Sequence, residues 1–542
     1  MFYLNQIILN LLKERDLSKN QKKSKEVLLS SIKMAIATFF SRILGLVREQ
    51  VMAASFGAGG LTDAFLVAYR IPNLLRDLFA EGAFSSAFVP TFVEENQIGH
   101  EKARQLLWAL FILLGLTTLF FSGVIFIFAE ELITVFAPSF KSDPDKFQIT
   151  VNLTKIMSPF LLFVSIAALF MGVLNSLKIF FIPSLAPAFF NVTMILCMIV
   201  LPSYFVSENI PAIYALGVGA FFGGFIQALV QFPLIIKKGF APIKPDKIIT
   251  AKSKKVVVLL GPGLIGFAAT QVNMVVTTIL ASGTLIGAVS WLSYAFRMFQ
   301  LPVGILGVSI GNSNLVHFSS AWKDGNLEKA KELLGGSYFL SVFLVLPPMI
   351  GLLIFNEEII RIIFEHGMFT SESTLQTAKA LKWYALGLPF YGIYKIFVPT
   401  FYAIDRQKIP VYCSIFSIGA NVIFCILLTP IYGFEVLAFG TTLSMFINST
   451  IQTYILKNDL KLKLTHFINL RLIKVLLAAI LTFIASSYLK LLLVLGGRSF
   501  LIQSAELFLN LLFIVSCYGI LVFAFGERNL VLNFLNKFKN KL

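Results

Sequence analysis

The sequence predicts an all-α polytopic membrane protein, and three observations carry that reading. Hydrophobic residues make up 57% of the 542 residues and charged ones 13%, with a mean hydropathy of +0.83, too apolar for a soluble globular chain. Apolar stretches long enough to cross a bilayer recur from residue 31 onward, since about 20 residues at ~1.5 Å each suffice. The basic residues fall in alternate connections between those stretches, as the positive-inside rule requires.

Residues 1–30 hold a short apolar piece, IILNLL, followed by Lys13, Arg15, Lys19, Lys22, Lys23 and Lys25. A secretory signal places its charges before the apolar core and a cleavage site after it, so the reversed order reads as a retained cytoplasmic basic tail. Fourteen apolar stretches follow, at 31–55, 62–92, 103–129, 148–175, 183–203, 210–237, 250–281, 285–317, 328–353, 372–403, 408–429, 434–457, 467–490 and 501–526. An even count puts both tails on one side. That side carries the N-terminal cluster, Lys102, Arg104, Lys178, seven lysines from Lys237 to Lys255, Lys323, Lys329, Lys331, Arg406, Lys408, the group from Lys457 to Lys474, and Arg528, Lys537, Lys539 and Lys541. The other side carries Lys141, Lys146, Arg361, Lys490 and Arg498. Both termini are therefore expected in the cytoplasm, with the turn FGAGG at 56–60 outside.

The longest basic connection, 238–249, separates two sets of six stretches, 31–237 and 250–457, as two parallel repeats around a cavity would be separated. YRIP at 69–72 and the segment from Arg297 to Pro302 each set an arginine shortly before a proline in the second helix of its half. Residues 458–526 add two stretches and 527–542 a second basic tail. A net charge of +17, whose excess sits in loops and tails, reports topology and gives no reason to expect nucleic acid. Cys197, Cys413, Cys425 and Cys517 lie in or beside apolar runs at no ligand-like spacing, and the histidines are scattered, so neither a disulfide framework nor a metal site is expected. Gly304, Gly307 and Gly311, like Gly219 and Gly223, follow no strand; close helix packing accounts for them better than nucleotide binding. Without a Walker loop, an HExxH or a supported Ser-His-Asp set, the chain reads as neither an enzyme nor a cofactor protein.

Function is expected in residues 41–90, two spans that nevertheless carry Arg42, Arg48, Arg70 and Arg76. An arginine at mid-helix costs about 2.5–3.5 kcal/mol on insertion scales, so these must face water, a counter-charge or an anionic ligand. At ~1.5 Å per residue Arg42 lies roughly 13 Å and Arg48 roughly 22 Å from the cytoplasmic entry of the first span, while Arg76 lies about 10 Å from that face. Arg297, in the eighth stretch, lies roughly 18 Å from its outer end, so that Arg42, Arg76 and Arg297 are expected in one layer. A guanidinium stays charged and offers a planar fork to phosphate oxygens, which points to a phosphate or pyrophosphate. Gly45 and the stretch from Pro72 to Gly82 fit helices bent around a cavity. Asp63 has two readings: a helix-start carboxylate with Thr62 as the cap, or a gate residue that pairs with an arginine. Ser41 and Ser290 neighbour the layer as cavity candidates, Arg70 fits structural pairing or snorkelling, and Lys155, Lys379, Lys382 and Lys395 are further intramembrane or interfacial cations.

Within this hairpin SRILGLVRE, FGAGGLTDAF and RIPNLLRDLFAEGAFSSAFVP, and beyond it ASGTLIGAVSWLSYAFRMFQLPVGILGV at 281–308, resemble the signature of the MurJ/MviN lipid II flippases, members of the multidrug/oligosaccharidyl-lipid/polysaccharide exporter superfamily. The resemblance implies a two-lobed transporter with spans 13 and 14 added outside the superfamily core. It also implies a cavity whose substrate-binding arginines are Arg42, Arg48, Arg76 and Arg297, and tips Asp63 toward a gate. Lipid II is the implied substrate, the bacterial cytoplasmic membrane the implied location, and membrane lipids and cell-wall synthesis enzymes the implied partners. Phe296, Asp77 and Gln300 depart from the acidic, basic and acidic residues expected at their places. Thr277, and Cys425 four residues after Asn421, stand where the carboxylates of a sodium site would, so the membrane potential is the expected driving force and a coupled cation is optional. Two other readings remain. A multidrug or polysaccharide exporter of the same superfamily should, if it carried cationic drugs, line its cavity with carboxylates; a non-transporting scaffold for cell-wall synthesis would need no arginines at one depth.

Overall fold

A computed structural model of the chain describes residues 33–34, 36–80, 83–304, 308–492 and 499–528, and its regular structure among these is helical throughout. The basic tail expected at 1–30 and Lys537, Lys539 and Lys541 lie outside the described residues. The helices are α1 (36–56), α2 (Gly60–Ala80), α3 (Ala83–Ile98), α4 (His100–Ile127), α5 (Ala129–Phe136), α6 (Pro144–Met157), α7 (Phe160–Ser176), α8 (Phe181–Ser207), α9 (Tyr214–Leu229), α10 (Phe232–Lys237) and α11 (Ala251–Ser282). They continue with α12 (Ala288–Pro302), α13 (Val308–Lys323), α14 (Leu327–Ile354), α15 (Asn356–Phe364), α16 (Ser371–Ala385), α17 (Leu388–Ala403), α18 (Lys408–Tyr432), α19 (Glu435–Asp459), α20 (Leu470–Leu492) and α21 (Phe500–Ala524).

Each apolar stretch of the sequence is largely helical over its described residues, and among the described residues eight helical segments are long and apolar enough to cross a membrane, two of them, Pro144–Ser176 and Tyr214–Lys237, being α6 with α7 and α9 with α10. The chain is an all-α polytopic membrane protein. Three stretches that read as single spans are interrupted. α6 gives way to α7 at Ser158 and Pro159, α9 to α10 just before Pro233, and α16 to α17 just before Pro389. A proline has no N–H to give the preceding turn but fits the first turn of a new helix, so each break falls where a proline restarts the helix.

The chain packs as two compact units: the first holds Val67–Ile133, Asp145–Phe267 and the described residues up to Met52, the second Ala53–Leu66, Thr134–Pro144 and the described residues from Ala268. The tip of the first hairpin thus belongs to the second unit, and the division falls inside α11.

In the first unit Phe88 and Phe92 of α3, Leu107 and Trp108 of α4, and Leu169, Phe170 and Val173 of α7 form one buried cluster. α9 is seated by its glycines: a Cβ on Gly223 or Gly224 would lie 2.7 Å from the ring of Phe190 or Phe160, so these positions let α9 nest against α8 and α7. In the second unit α13 approaches α17 closely enough that a Cβ on Gly311 would lie 2.5 Å from the Lys395 carbonyl oxygen. α20 and α21 lie on α14, held by Tyr518 donating to the Phe343 carbonyl at 3.1 Å and by Lys490, which donates to the Ile354 carbonyl at 2.6 Å and pairs with Glu358 at 2.8 Å. Their other faces are apolar and open, as at Leu501 (78% exposed) and Ile520 (68%), the surface a lipid-facing helix presents.

Candidate substrate site and gate

In the first unit Arg48 stands at the centre of a polar cluster set in aromatic surroundings. Its NH2 pairs with Glu49 Oε1 at 2.5 Å and its NH1 donates to Asn191 Oδ1 at 3.1 Å. Asn191, buried on α8, donates in turn from Nδ2 to the Ser41 carbonyl at 3.2 Å, and Gly45 on α1 faces the same amide. The guanidinium carbon lies 5.8 Å from the Phe190 ring centre, within cation–π range, and Phe190, Phe160 and Tyr69 follow one another at 5.7 and 5.6 Å. Arg76 is close enough for its charge to oppose that of Arg48. Two arginines from two helices are therefore within electrostatic reach of each other, with one buried carboxylate, Glu49 (4% exposed), in direct contact. A buried ion pair holds only when further hydrogen bonds offset its desolvation, and Asn191 supplies one.

Glu49 and Asn191 were not among the residues singled out from the sequence. A carboxylate in an apolar run next to Arg48, and an amide between Phe190 and Val192, were the available signals. Arg42 is exposed on α1, Arg70 and Ser41 are half-buried, and Arg297 is exposed on α12 in the second unit. Lys155 lies 5.9 Å over the Phe126 ring.

The second unit contains the contacts of the hairpin tip. Asp63, 1% exposed, accepts from Gly287 N–H at 2.7 Å, from Ser290 N–H at 2.8 Å, and from the Ser290 hydroxyl. Gly287 is the N-cap of α12 and has no side chain to satisfy the first amides of that helix; Asp63 does so from another helix, with the favourable end of the α12 dipole facing its charge. Thr62 does not cap α2, which begins at Gly60. Its hydroxyl donates to the Phe56 and Gly57 carbonyls at 3.2 and 3.0 Å, closing the end of α1, because those carbonyls have no partner within their helix.

Beside this contact, Met368 N–H donates to the Ala54 carbonyl at 2.8 Å, and two glycines with positive φ, Gly57 (68°) and Gly367 (59°), bring the two loops together. A Cβ on Gly57 would lie 2.6 Å from the Met368 carbonyl oxygen, and one on Gly367 would run into the Ala54 carbonyl. Tyr294, fully buried against Phe364 and Phe369 at 5.0 and 5.5 Å, donates to the Gly57 carbonyl at 3.3 Å.

Where the resemblance placed a sodium site, Asn421 donates to Asn273 Oδ1 at 2.6 Å and accepts from Cys425 at 3.3 Å. Both amide side chains are neutral, and among the described residues no group of three or more His, Cys, Asp or Glu side chains is placed to hold a metal ion.

One protein family, described as lipid II flippase MurJ, has a sequence model that matches residues 52–512. That range takes in Asp63, Arg76, Ser290 and Arg297 and begins just after Arg42 and Arg48. The chain is 34% identical over 451 residues to a probable lipid II flippase MurJ of Buchnera aphidicola subsp. Schizaphis graminum, covering 82% of this chain and 86% of that one. It is 36% identical over 400 residues to a probable lipid II flippase MurJ of Rhizobium meliloti, covering 73% and 74%. A solved structure of lipid II flippase MurJ in an inward closed conformation superposes with a TM-score of 0.74 at 29% identity, covering 90% of this chain and 98% of that one. An inward-facing multidrug resistance MATE family transporter of the MOP superfamily, at 12% identity and a TM-score of 0.63 over 78% and 94% of the two chains, shares the fold. On the extent of these matches, the chain belongs to the MurJ family of lipid II flippases.

Proposed function

We propose that this protein moves lipid II, the undecaprenyl-pyrophosphate-linked peptidoglycan precursor, from the inner to the outer leaflet of the bacterial cytoplasmic membrane by alternating access. The observation that carries the reading, beside family membership, is the half-buried Arg48 guanidinium with Glu49 in contact and Arg76 within repulsive range. Guanidinium groups brought together from two helices suit an anionic ligand, and a diphosphate offers the oxygens for them. Phosphate oxygens would displace Glu49 from one edge of the Arg48 fork and relieve the repulsion from Arg76. Arg42 and Arg297 join Arg48 and Arg76 among the proposed substrate-binding residues on the strength of the family resemblance, with Ser41 as a cavity candidate.

Asp63 and Ser290 are the gate on the outer side. With their three hydrogen bonds made that side is shut, and opening it exposes the α12 amides to water. Fourteen crossings with both termini in the cytoplasm belong to the same proposal, as do six-span lobes at 31–237 and 250–457 joined by the linker 238–249. Residues 458–526 would then flank a groove for the polyprenyl tail. The helicity of the apolar stretches over most of their described residues and the alternation of basic connections support this topology. A diphosphate leaving a negative-inside cell moves downhill by about 2.3 kcal/mol per charge per 100 mV, so the potential suffices as driving force.

The test is complementation after depletion of a host's own flippase, with outer-leaflet lipid II as readout. Wild type is compared with Arg42→Ala, Arg48→Ala, Arg76→Ala and Arg297→Ala at matched membrane abundance. Restoration by wild type and loss in the variants supports the proposal. Normal flipping by the variants removes the arginine site, and failure of well-expressed wild type removes the substrate.

A further inference from the structure

The connection between α10 and α11 is short, basic and strapped down, and nothing in the transport cycle above uses it. It starts and ends at apolar helices, so in the topology proposed here it lies at the headgroup level of the cytoplasmic leaflet. From the last residue of α10 to the first turn of α11 the chain carries seven lysines, Lys237 to Lys255, against a single acidic residue, Asp246.

Side chains of α4 hold the strap in one shape. Arg104 donates to the Ala241 carbonyl at 2.8 Å and Trp108 to the Phe240 carbonyl at 3.2 Å. Gln105 and Asp246 exchange two hydrogen bonds at 3.0 and 2.9 Å. Phe240, 1% exposed, is sunk into the core cluster of the first unit and stacks on His100 at 4.3 Å. Thr250 and Ser253 cap the start of α11 reciprocally, at 2.8 and 3.0 Å, as a capping box does. Pro242 and Pro245 remove further backbone freedom.

What the strap turns outward is amphipathic. Lys237, Lys238, Lys244, Lys247 and Lys254 are exposed, and among them so are Ile248 and Ile249, the latter at 73%. Exposed isoleucines between lysines suit a surface that is apolar below and anionic above. At the start of α11, Lys252 pairs with Glu94 at 2.5 Å and Glu95 at 3.2 Å, and Lys255 with Glu94 at 3.3 Å. Lys252, Lys255 and Glu94 are accessible while Glu95 is buried, so a phosphate arriving from the leaflet meets the two lysines in competition with the glutamates of α3.

We propose that the strap and the first turn of α11 form a binding surface for anionic phospholipid of the cytoplasmic leaflet, whose phosphates displace Glu94 and Glu95 from Lys252 and Lys255. The phospholipid thereby releases the end of α3 from the end of α11 within the first unit. The inference rests on the proposed topology but not on lipid II being the substrate.

The test uses the full chain in nanodiscs and counts phosphatidylglycerol and phosphatidylcholine molecules retained on release into the gas phase. Wild type should prefer phosphatidylglycerol. Lys244→Gln/Lys247→Gln/Lys254→Gln should lose that preference by about fivefold per lysine, and Ile249→Asp should weaken retention of both lipids. Glu94→Gln/Glu95→Gln should strengthen phosphatidylglycerol retention, because it frees two lysines; a merely structural ion pair would leave retention unchanged. Equal retention of the two lipids by wild type, or unchanged or weaker retention in the glutamine pair, overturns the proposal. Arg48→Ala should lose flipping in the depleted host while keeping the lipid preference in nanodiscs, so failure of the substrate assignment and failure of the strap appear in different readouts.

Discussion

Replacing Asp63 by Asn tests whether one carboxylate holds the outer side shut. The two side chains have the same shape, but the amide has one acceptor oxygen where Asp63 uses two, taking Gly287 N–H on one and the Ser290 N–H and hydroxyl on the other. Whichever way the amide turns, its NH₂ faces an N–H, and the remaining bonds lose their charge. Hydrogen bonds to charged groups contribute about 1.5–3 kcal/mol each, and a buried unsatisfied donor costs about 1–3 kcal/mol. Losing one such bond and weakening the others therefore destabilises the closed arrangement by about 3 kcal/mol or more, a shift of roughly a hundredfold. The assay is the labelling rate of a cysteine placed at Ala68, fully buried on α2, by a membrane-impermeant maleimide added outside, with the half-buried Cys197 and Cys517 replaced by serine. Asp63→Asn should label about a hundredfold faster than the parent and should flip lipid II poorly, because the return to the closed state becomes unfavourable. Equal labelling of variant and parent would refute the reasoning.

Gly367→Ala should open the same end by about 1–2 kcal/mol from the left-handed φ alone, and by more from the clash with the Ala54 carbonyl, seen as faster labelling at position 68. Arg48→Ala should lower the unfolding midpoint in detergent far more than Arg42→Ala, by the equivalent of about 3–5 kcal/mol, because it strands the buried Glu49 carboxylate. Arg48→Ala/Glu49→Ala should recover part of that stability without recovering flipping. The pairing of Glu94 should be insensitive to pH across the physiological range. Hydrogen bonds from Lys252 and Lys255 hold its carboxyl below the usual 4.5, and a group whose folded-state pKa is depressed contributes fully above its unfolded value and loses its contribution as pH falls through the folded one. Hydrogen exchange at the end of α3 should therefore rise only below about pH 4.5. An increase between pH 8 and 6 would assign that contact to another group.

The helices were legible because apolar length and loop charge are properties of local sequence, and the arginines because a cation in an apolar run is conspicuous wherever it sits. What escaped was anything set by partners distant in the chain. Asp63 reads locally as a helix-start carboxylate; that it caps α12 depends on a glycine more than two hundred residues on. Thr62 reads as a cap for the helix that follows it, and serves the one before. Glu49 was hidden by its neighbour, because an Arg-Glu dipeptide in a span draws attention to the charge that costs more. The breaks at Pro159, Pro233 and Pro389 lie inside runs whose total apolar length was right, and a sum over composition cannot show whether a proline bends a span or divides it.

The cap that Asp63 provides also has an order in time. Ser290 follows it by 227 residues, which at bacterial synthesis rates of about 5–20 residues per second is a delay of roughly 10–45 s. Throughout that interval the first hairpin is already made and its carboxylate has none of the α12 amides to accept from. The start of α12 therefore gains this cap only once residues 287–290 have been made, long after the carboxylate that serves it.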